Sequence, residues 1–354
     1  MVVAPNSSGI TPVFRSQYTA AVRGKLSAPA RISSTGGELW MRAVPMPGAG
    51  VMSSVMSVVH LGQDGVTIID PGWAGSKAQD AEGNVRRPLD DFLRERGRRL
   101  EQVTDIIVTH AHPDHIGGAA VLLKATSATY HLGAVEQRTL DAARTGTSVD
   151  EYAVDEARAR EIGAPDGVLS AHPFRTPKAE LPAFIPRQRP DALVADGDTV
   201  KPDTDIALRA VLTPGHTPGH LAFADDNRRI LFAADHILPE IFPGIGLGVG
   251  NLGGNPVKDY LAAVERLAEF DDYTVVPGHG YAFTGLAARR AETREHVMER
   301  AREVQKVLDW NPELSVWRLA SRLTWSGGWE ELSSSPMVWS ALRQTMMYRD
   351  LVLG

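Results

Sequence analysis

The chain contains no cysteine among its 354 residues. That absence excludes disulfides, a thiolate nucleophile, cysteine-type zinc fingers and iron–sulfur clusters. A metal ion in this protein has to be held by histidine nitrogen and carboxylate oxygen. Long hydrophobic runs are missing as well, so no segment is expected to span a membrane. The first twenty residues mix Pro5, Asn6, Ser7, Arg15 and Gln17 with few apolar side chains, and they lack the apolar stretch of a secretory signal. Positive charge is not in excess: the formal net charge is −6 and the isoelectric point lies near 6.0. Nucleic acids and anionic membranes select basic surfaces, so neither is expected as a partner. A cytoplasmic protein is the expectation, and the composition is compatible with a homo-oligomer. With 43% apolar and 23% charged residues the chain can bury a core. Its length suits one large domain, alone or with a small one.

Residues 1–35 read as an irregular arm. Runs 39–44, 54–61 and 66–69 have strand character, separated by Gly62 and the Asp64-Gly65 pair. Leu89, Phe92, Leu93 and Leu100 recur near helical spacing and predict a helix over 89–100. A short apolar strand at 105–109 stops in a histidine-rich segment, and the helical pattern resumes over 115–124. Residues 134–162 read as helical and charged. Six prolines from Pro165 to Pro190 predict a long loop over 163–190, a length typical of lids and substrate loops. Strands are expected at 207–212, 220–224 and 229–233. The glycine-rich stretch 243–254 lacks phosphate-binding spacing and reads as a flexible loop or a pocket wall. Val257, Tyr260, Leu261, Val264, Leu267 and Phe270 then share a helix face, and a last strand covers 273–276. Beyond 285 glycine nearly disappears. A charged helix over 286–308 leads into a tail holding Trp310, Trp317, Trp325, Trp329 and Trp339, five of the seven tryptophans. That density predicts a small helical unit with its own aromatic core, or one docked on the main body. Ten Lys and Arg stand against nine Asp and Glu over 286–354, so the tail offers no basic stripe to nucleic acid.

Of the 11 histidines, three fall in His110-Ala111-His112-Pro113-Asp114-His115. Residues i and i+2 do not share a helix face, so His110 and His112 cannot bind one ion from a regular helix. A strand that has just ended can present both, and Pro113 enforces the turn. Asp114 then falls near a helix start, where free N–H groups favour a carboxylate, and His115 points differently from the first two. Four ligand-type side chains splay from one turn, enough to share between two metals. His216, Asp235 and His279 repeat one pattern: an apolar strand, a turn of small residues, then a ligand. Ligands commonly collect at the C-terminal edges of strands in layered α/β folds. Thr-Pro-Gly-His occurs twice in succession, so spacing alone leaves His216 and His220 open as the ligand. His60, His172 and His296 read as ordinary polar residues, while His131 and His236 lie near strand ends.

These segments, over roughly 39–285, resemble the metallo-β-lactamase-fold hydrolase superfamily. The resemblance implies an α/β fold, a four-layer αββα sandwich over 36–285. Arm 1–35 would precede it, and a helical or winged-helix-like appendage over 286–354 would follow. That appendage marks one branch, which the tail resembles through Asn255-Pro256 and Arg322-Leu323-Thr324-Trp325. By the same resemblance His110, His112 and His216 hold one metal, and Asp114, His115 and His279 hold a second. Asp235 bridges the two. Asp70, in Ile69-Asp70-Pro71-Gly72, matches the family's early Asp-x-Gly turn and is expected to support the ligands. His236 is expected beside the pocket. Two divalent ions are implied, zinc first, with manganese or iron also suited to nitrogen and oxygen donors.

The implied chemistry is hydrolysis by a metal-bridging hydroxide, with Asp114 as the catalytic carboxylate that orients it. An aspartate at the bridging step is the arrangement of the glyoxalase-II-like, lactonase and thioesterase-like members. Lactamases with a cysteine ligand are set aside because the chain has none. The chain also departs from the glutathione-thioesterase branch, carrying His236-Ile237-Leu238-Pro239 where that branch has a Cys-Gly-Arg segment. The expected substrate is a carbonyl ester, thioester or lactone of a small molecule. The alternatives are a metal-dependent endoribonuclease of the appended-tail branch, and a minor activity on β-lactams or other amides.

Overall fold

A computed structural model describes residues 9–13, 29–33, 36–47, 50–74, 78–79, 85–171 and 181–354. His172 and part of loop 163–190 lie outside the described residues, as does most of arm 1–35. The first part of the chain forms β1 (Thr11–Pro12), β2 (Ala30–Ser33), β3 (Glu38–Pro45), β4 (Ser54–Leu61), β5 (Val66–Ile69), and the short pair β6 (Ala78–Gln79) and β7 (Val85–Arg86). Then come α1 (Pro88–Glu95), β8 (Val103–Val108), α2 (Pro113–Ile116), α3 (Ala119–Ala125), β9 (Thr129–Gly133), α4 (Ala134–Thr145), α5 (Glu156–Glu161) and α6 (Asp166–Ala171). The second half holds β10 (Ala192–Val194), β11 (Thr199–Asp203), β12 (Ile206–Leu212), β13 (Leu221–Asp225), β14 (Ile230–Ala234), α7 (Pro256–Arg266), β15 (Thr274–Pro277) and β16 (Phe283–Thr284). Four helices close the chain: α8 (Leu286–Trp310), α9 (Val316–Ala320), α10 (Trp329–Ser333) and α11 (Val338–Leu353).

Two mixed sheets of seven strands result, ordered β10-β9-β8-β5-β4-β3-β2 and β1-β16-β15-β14-β13-β12-β11. Side chains alternate across a strand, so neighbouring residues serve opposite faces. Ile69 and Ile107 pack with Phe223 and Phe232 of the second sheet. Ile68 and Ile106, one residue earlier, pack with Phe92 and Leu93 of α1, Leu122 of α3 and Leu140 of α4. Both faces of the first sheet are therefore covered. Helices α7, α8 and α11 cover the second sheet's outer side, contributing Val264, Val297, Val304, Leu342 and Met346 to the same core cluster as the sheet-to-sheet contact.

Several elements differ from the sequence reading. Residues 30–33 of the expected arm form an edge strand against β3, and Thr11–Pro12 pairs with β16. The helix expected over 89–100 ends at Glu95, where Gly97 turns with φ +69°. Gly117-Gly118 divides the helix expected over 115–124, because Gly118 N donates out of the helix to Gly72 O at 2.6 Å. The stretch 134–162 breaks at Gly146, a left-handed C-cap with φ +70°. Residues 166–171 of the expected loop are helical. Of the two forms expected for the appendage, the helical one is formed: 286–354 holds α8 to α11 and no strand. Of the two placements expected for the tail, docking on the main body is the one formed: Trp317, Trp325, Trp329 and Trp339 pack against the main core, and Trp310 is exposed. Among the described residues, no helix is long and apolar enough to cross a membrane.

Candidate metal centre

Parallel strand pairs bring the ligand-bearing turns together. In the first sheet β5 and β8 run in parallel with Ile69 beside Ile107, so Asp70 and Thr109–His112 leave adjacent strand ends. In the second sheet β14 and β15 run in parallel with Ala234 beside Pro277, so Asp235 and His279 emerge side by side. Backbone bonds then lock the sheets to each other at this edge. Leu221 N donates to Thr109 O at 3.0 Å and Met56 N to Gly278 O at 2.7 Å.

The structure brings all seven expected ligand residues into two groups that share one member. His110, His112, His216 and Asp235 form one, and Asp114, His115, Asp235 and His279 form the other. Within each group the ligand-type atoms lie within 4.8 Å of one another. His110 Nε2 and His216 Nε2 each lie 3.0 Å from His112 Nδ1. Asp235 Oδ2 is 3.5 Å from His216 Nε2 and 3.4 Å from His279 Nε2, while its Oδ1 is 3.4 Å from His115 Nε2. Asp114 Oδ2 is 3.1 Å from His279 Nε2 and 3.8 Å from His115 Nε2.

The far side of each ring decides where its protons are. A carbonyl or carboxylate only accepts, so the nitrogen facing it carries the hydrogen. His112 Nε2 faces Leu247 O at 2.8 Å, His216 Nδ1 faces Gly244 O at 2.6 Å and His279 Nδ1 faces Ser54 O at 2.8 Å. His115 Nδ1 faces Asp70 Oδ2 at 2.8 Å. Thr109 Oγ1 gives its hydrogen to Asp70 Oδ2 at 2.8 Å and so accepts from His110 Nδ1 at 3.0 Å. In the neutral rings every inward nitrogen is therefore a bare lone pair. Three of them converge at about 3 Å with no hydrogen to share, and a cation satisfies that arrangement. His115 Nε2, His279 Nε2 and Asp235 Oδ1 are buried without a hydrogen-bond partner, as ligands to an ion would be. At Gly278 a Cβ would collide with Asp235 Oδ1 and stand 2.8 Å from His115 Cε1. The donor set fits a pair of divalent ions.

The two halves differ electrostatically. Burial, reinforced by neighbouring imidazoles, holds His110 well below the usual histidine range and brings His216 down to about 4. In the other half burial also opposes charging, but the carboxylates outweigh it. Asp235, Asp70 and Asp114 raise His115 well above its ordinary value, and Asp235 and Asp114 push His279 up to about 10. The same attraction overcomes burial at Asp114 and Asp235, which are both lowered.

Asp70 carries a left-handed backbone, with φ +51°. Besides binding His115 and Thr109 Oγ1, it accepts Thr109 N at Oδ1 (2.8 Å). His220 does not join the groups. Its Nδ1 bonds Thr213 Oγ1 at 2.7 Å and its Nε2 accepts Asp235 N at 3.2 Å, so it aims the shared aspartate through the backbone. His236 is fully buried against Tyr260, with ring centroids 4.6 Å apart, and lies outside both groups. His131 pairs with Asp105 at 2.8 Å within the first sheet.

Sequence reasoning missed Glu136. In the first turn of α4, it accepts Ala111 N at 2.8 Å, Gly219 N at 2.9 Å and Thr217 Oγ1 at 3.0 Å. One buried carboxylate thus ties the His110–His112 turn to the His216 turn. Its pKa is raised, because burial outweighs those three donors.

A model of the metallo-beta-lactamase superfamily matches residues 49–279, and the chain belongs to that superfamily. Two mixed sheets flanked by helices, with extra C-terminal helices, are its form of the fold. An uncharacterized protein of Aquifex aeolicus is 25% identical over 253 residues, 71% of this chain and 94% of the relative. A hydroxyacylglutathione hydrolase of Nitrobacter hamburgensis is 28% identical over 223 residues, 63% of this chain and 64% of that protein. A beta-lactamase-like protein 2 homolog of Caenorhabditis elegans is 28% identical over 136 residues, 38% of this chain and 43% of the relative. The chain thus spans less than two thirds of the length of the last two. A metallo-beta-lactamase family protein from Thermus thermophilus superposes with a TM-score of 0.66 at 23% identity, over 89% of this chain and 93% of that one. A beta-lactamase domain protein from Burkholderia ambifaria gives 0.65 at 19%, over 98% and 94%. At these identities the structural likeness is one of fold. The superfamily and the buried His/Asp groups together define a metal-dependent hydrolase.

Proposed function

We propose that the protein hydrolyses an acyl ester of a small molecule with two divalent ions, and that a thioester is the foremost substrate class. The observation that carries this reading is the sharing of Asp235 between a three-histidine group and a second group containing Asp114. His110, His112 and His216 would hold one ion, Asp114, His115 and His279 the other, and Asp235 both. Zinc suits these donors best. Such a pair supplies a water acidic enough to be a nucleophile at neutral pH and polarises a carbonyl oxygen.

The chain's own part is to position and to move a proton. Asp114 sits in the first turn of α2, beside the other carboxylate, and its oxygens orient the attacking water and accept its hydrogen. His112 is the half-buried member of its group, and Leu247, whose carbonyl touches it, is 43% exposed. A thioester is favoured because the name of the Nitrobacter relative denotes cleavage of an acyl–sulfur bond. The His236-Ile237-Leu238-Pro239 segment points to a leaving thiol other than glutathione. The test is a panel of acyl thioesters, lactones, aryl esters and β-lactams, assayed with zinc- and manganese-loaded protein. Thioester turnover should lead, and Asp114→Ala should lower it at least about 100-fold. Full turnover in Asp114→Ala would overturn the mechanism.

A further inference from the structure

The glycine-rich loop 243–254 meets the three-histidine group through backbone atoms. Gly244 O holds His216 Nδ1 and Leu247 O holds His112 Nε2. In return Leu247 N donates to His216 O at 2.8 Å, and Gly246 N to Gly215 O at 2.7 Å. A carbonyl aims an imidazole only as well as its own peptide plane is aimed. This loop carries six glycines in twelve residues, the residue type that loses most freedom on ordering. Its order has to come from outside.

Helix α11 supplies two contacts at Gly246. Arg343 Nε donates to Gly246 O at 3.1 Å. Met347, one turn further along, packs so closely that a Cβ on Gly246 would stand 2.8 Å from its Sδ, and Gly246 itself has φ +74°. The other arm of the Arg343 guanidinium pairs with Asp150. Asp150 belongs to a segment bonded to the far half of the loop, where Val149 N donates to Asn251 O at 3.0 Å and Gly253 N to Val149 O at 3.1 Å. A planar guanidinium reaches two acceptors in fixed geometry, which an ammonium does not.

We propose that Arg343 is a positioning residue for the first metal: by joining the Gly246 carbonyl to Asp150 it sets the peptide planes of Gly244 and Leu247, and through them the rings of His216 and His112. The C-terminal helix thereby tunes a site it does not reach. The inference rests on the two-ion reading, and a simple docking role for the Arg343–Asp150 pair is the competing account.

Stepwise removal of zinc by a competing chelator from the full chain separates the two. Arg343→Gln should weaken one of the two release steps about 10- to 100-fold, the range for residues that orient a ligand. That step should be the one His279→Ala leaves unchanged, because His279 belongs only to the other group. Arg343→Lys, which keeps a cation for Asp150, should fall in between, and it serves if the Gln variant does not fold. Amide exchange within 243–254 should rise in the metal-free Gln variant while the sheets keep their protection. Equal weakening of both steps, or no change in either, overturns the inference and leaves the two-ion reading standing. A wild-type chain that does not release two ions overturns both.

Discussion

Asp70 Oδ2 accepts the Nδ1 hydrogen of His115 at 2.8 Å. That bond decides which nitrogen of His115 faces Asp235 and Asp114, and the other carboxylate oxygen, Oδ1, fixes the start of the ligand turn through Thr109 N. Replacing Asp70 with alanine frees the His115 ring and leaves the buried Thr109 amide without its acceptor. The second ion should bind about 10- to 100-fold more weakly, and metal-free stability should fall by about 1–3 kcal/mol. Chelator competition and denaturant unfolding measure the two effects separately.

Glu136→Gln tests the tie between the two histidine turns. An amide has one oxygen, so its NH2 group must face Ala111 N or the Thr217 and Gly219 donors. At least one buried backbone donor loses its partner, at a cost of about 1–3 kcal/mol. Urea unfolding of the metal-free protein should show that loss. A variant as stable as the parent would mean that the carboxylate is dispensable.

Gly278→Ala should remove metal capacity with little effect on the rest of the fold. Its Cβ would be driven into Asp235 Oδ1 and His115 Cε1, and overpacking of this kind costs about 1–3 kcal/mol. Elemental analysis should find the second ion depleted, while the far-ultraviolet dichroism stays that of the parent. Full metal content in this variant would contradict the ligand geometry.

The two ions should respond differently to pH. His279 is pushed up to about 10 and His115 is also raised, so both carry protons in the metal-free protein at pH 7. An ion entering that group must displace them, and raising the pH removes the competitor. Affinity for the second ion should therefore climb between pH 7 and 10, by about tenfold per pH unit for each displaced proton. His216, down at about 4, is already bare there, so the first ion should bind with little pH dependence over the same window. Calorimetric titrations in buffers of different ionisation enthalpy count the protons released. Equal release for both ions would refute the assignment.

The ligands were legible because their chemistry forces a dense local pattern. Two histidines at i and i+2, a proline, then Asp114 and His115 cannot all serve a helix face, and the strand ends at His216, Asp235 and His279 repeat the theme. The supports were less legible. Glu136 is a lone glutamate at a helix start, and nothing in its neighbourhood distinguishes it from a solvated one. His220 differs from His216 only by which turn position it occupies, and the residues that receive its nitrogens, Thr213 and Asp235, are set by tertiary contact. The role of loop 243–254 rests on carbonyl groups, which every residue has. The edge strand at 30–33 exists because β3 offers it a partner, and four of the tail's five tryptophans found a larger core to join.

Two catalytic ions in groups that share Asp235 are the core of the proposed chemistry. The most direct measurement is metal content against turnover, taken on one preparation as metal is stripped by a chelator and returned. Two ions per chain are predicted. Thioester hydrolysis should vanish on stripping and return with zinc or manganese, and Asp235→Ala should hold fewer ions and show no turnover. Hydrolysis that survives full stripping, or an Asp235→Ala variant that keeps both ions and full activity, would contradict it.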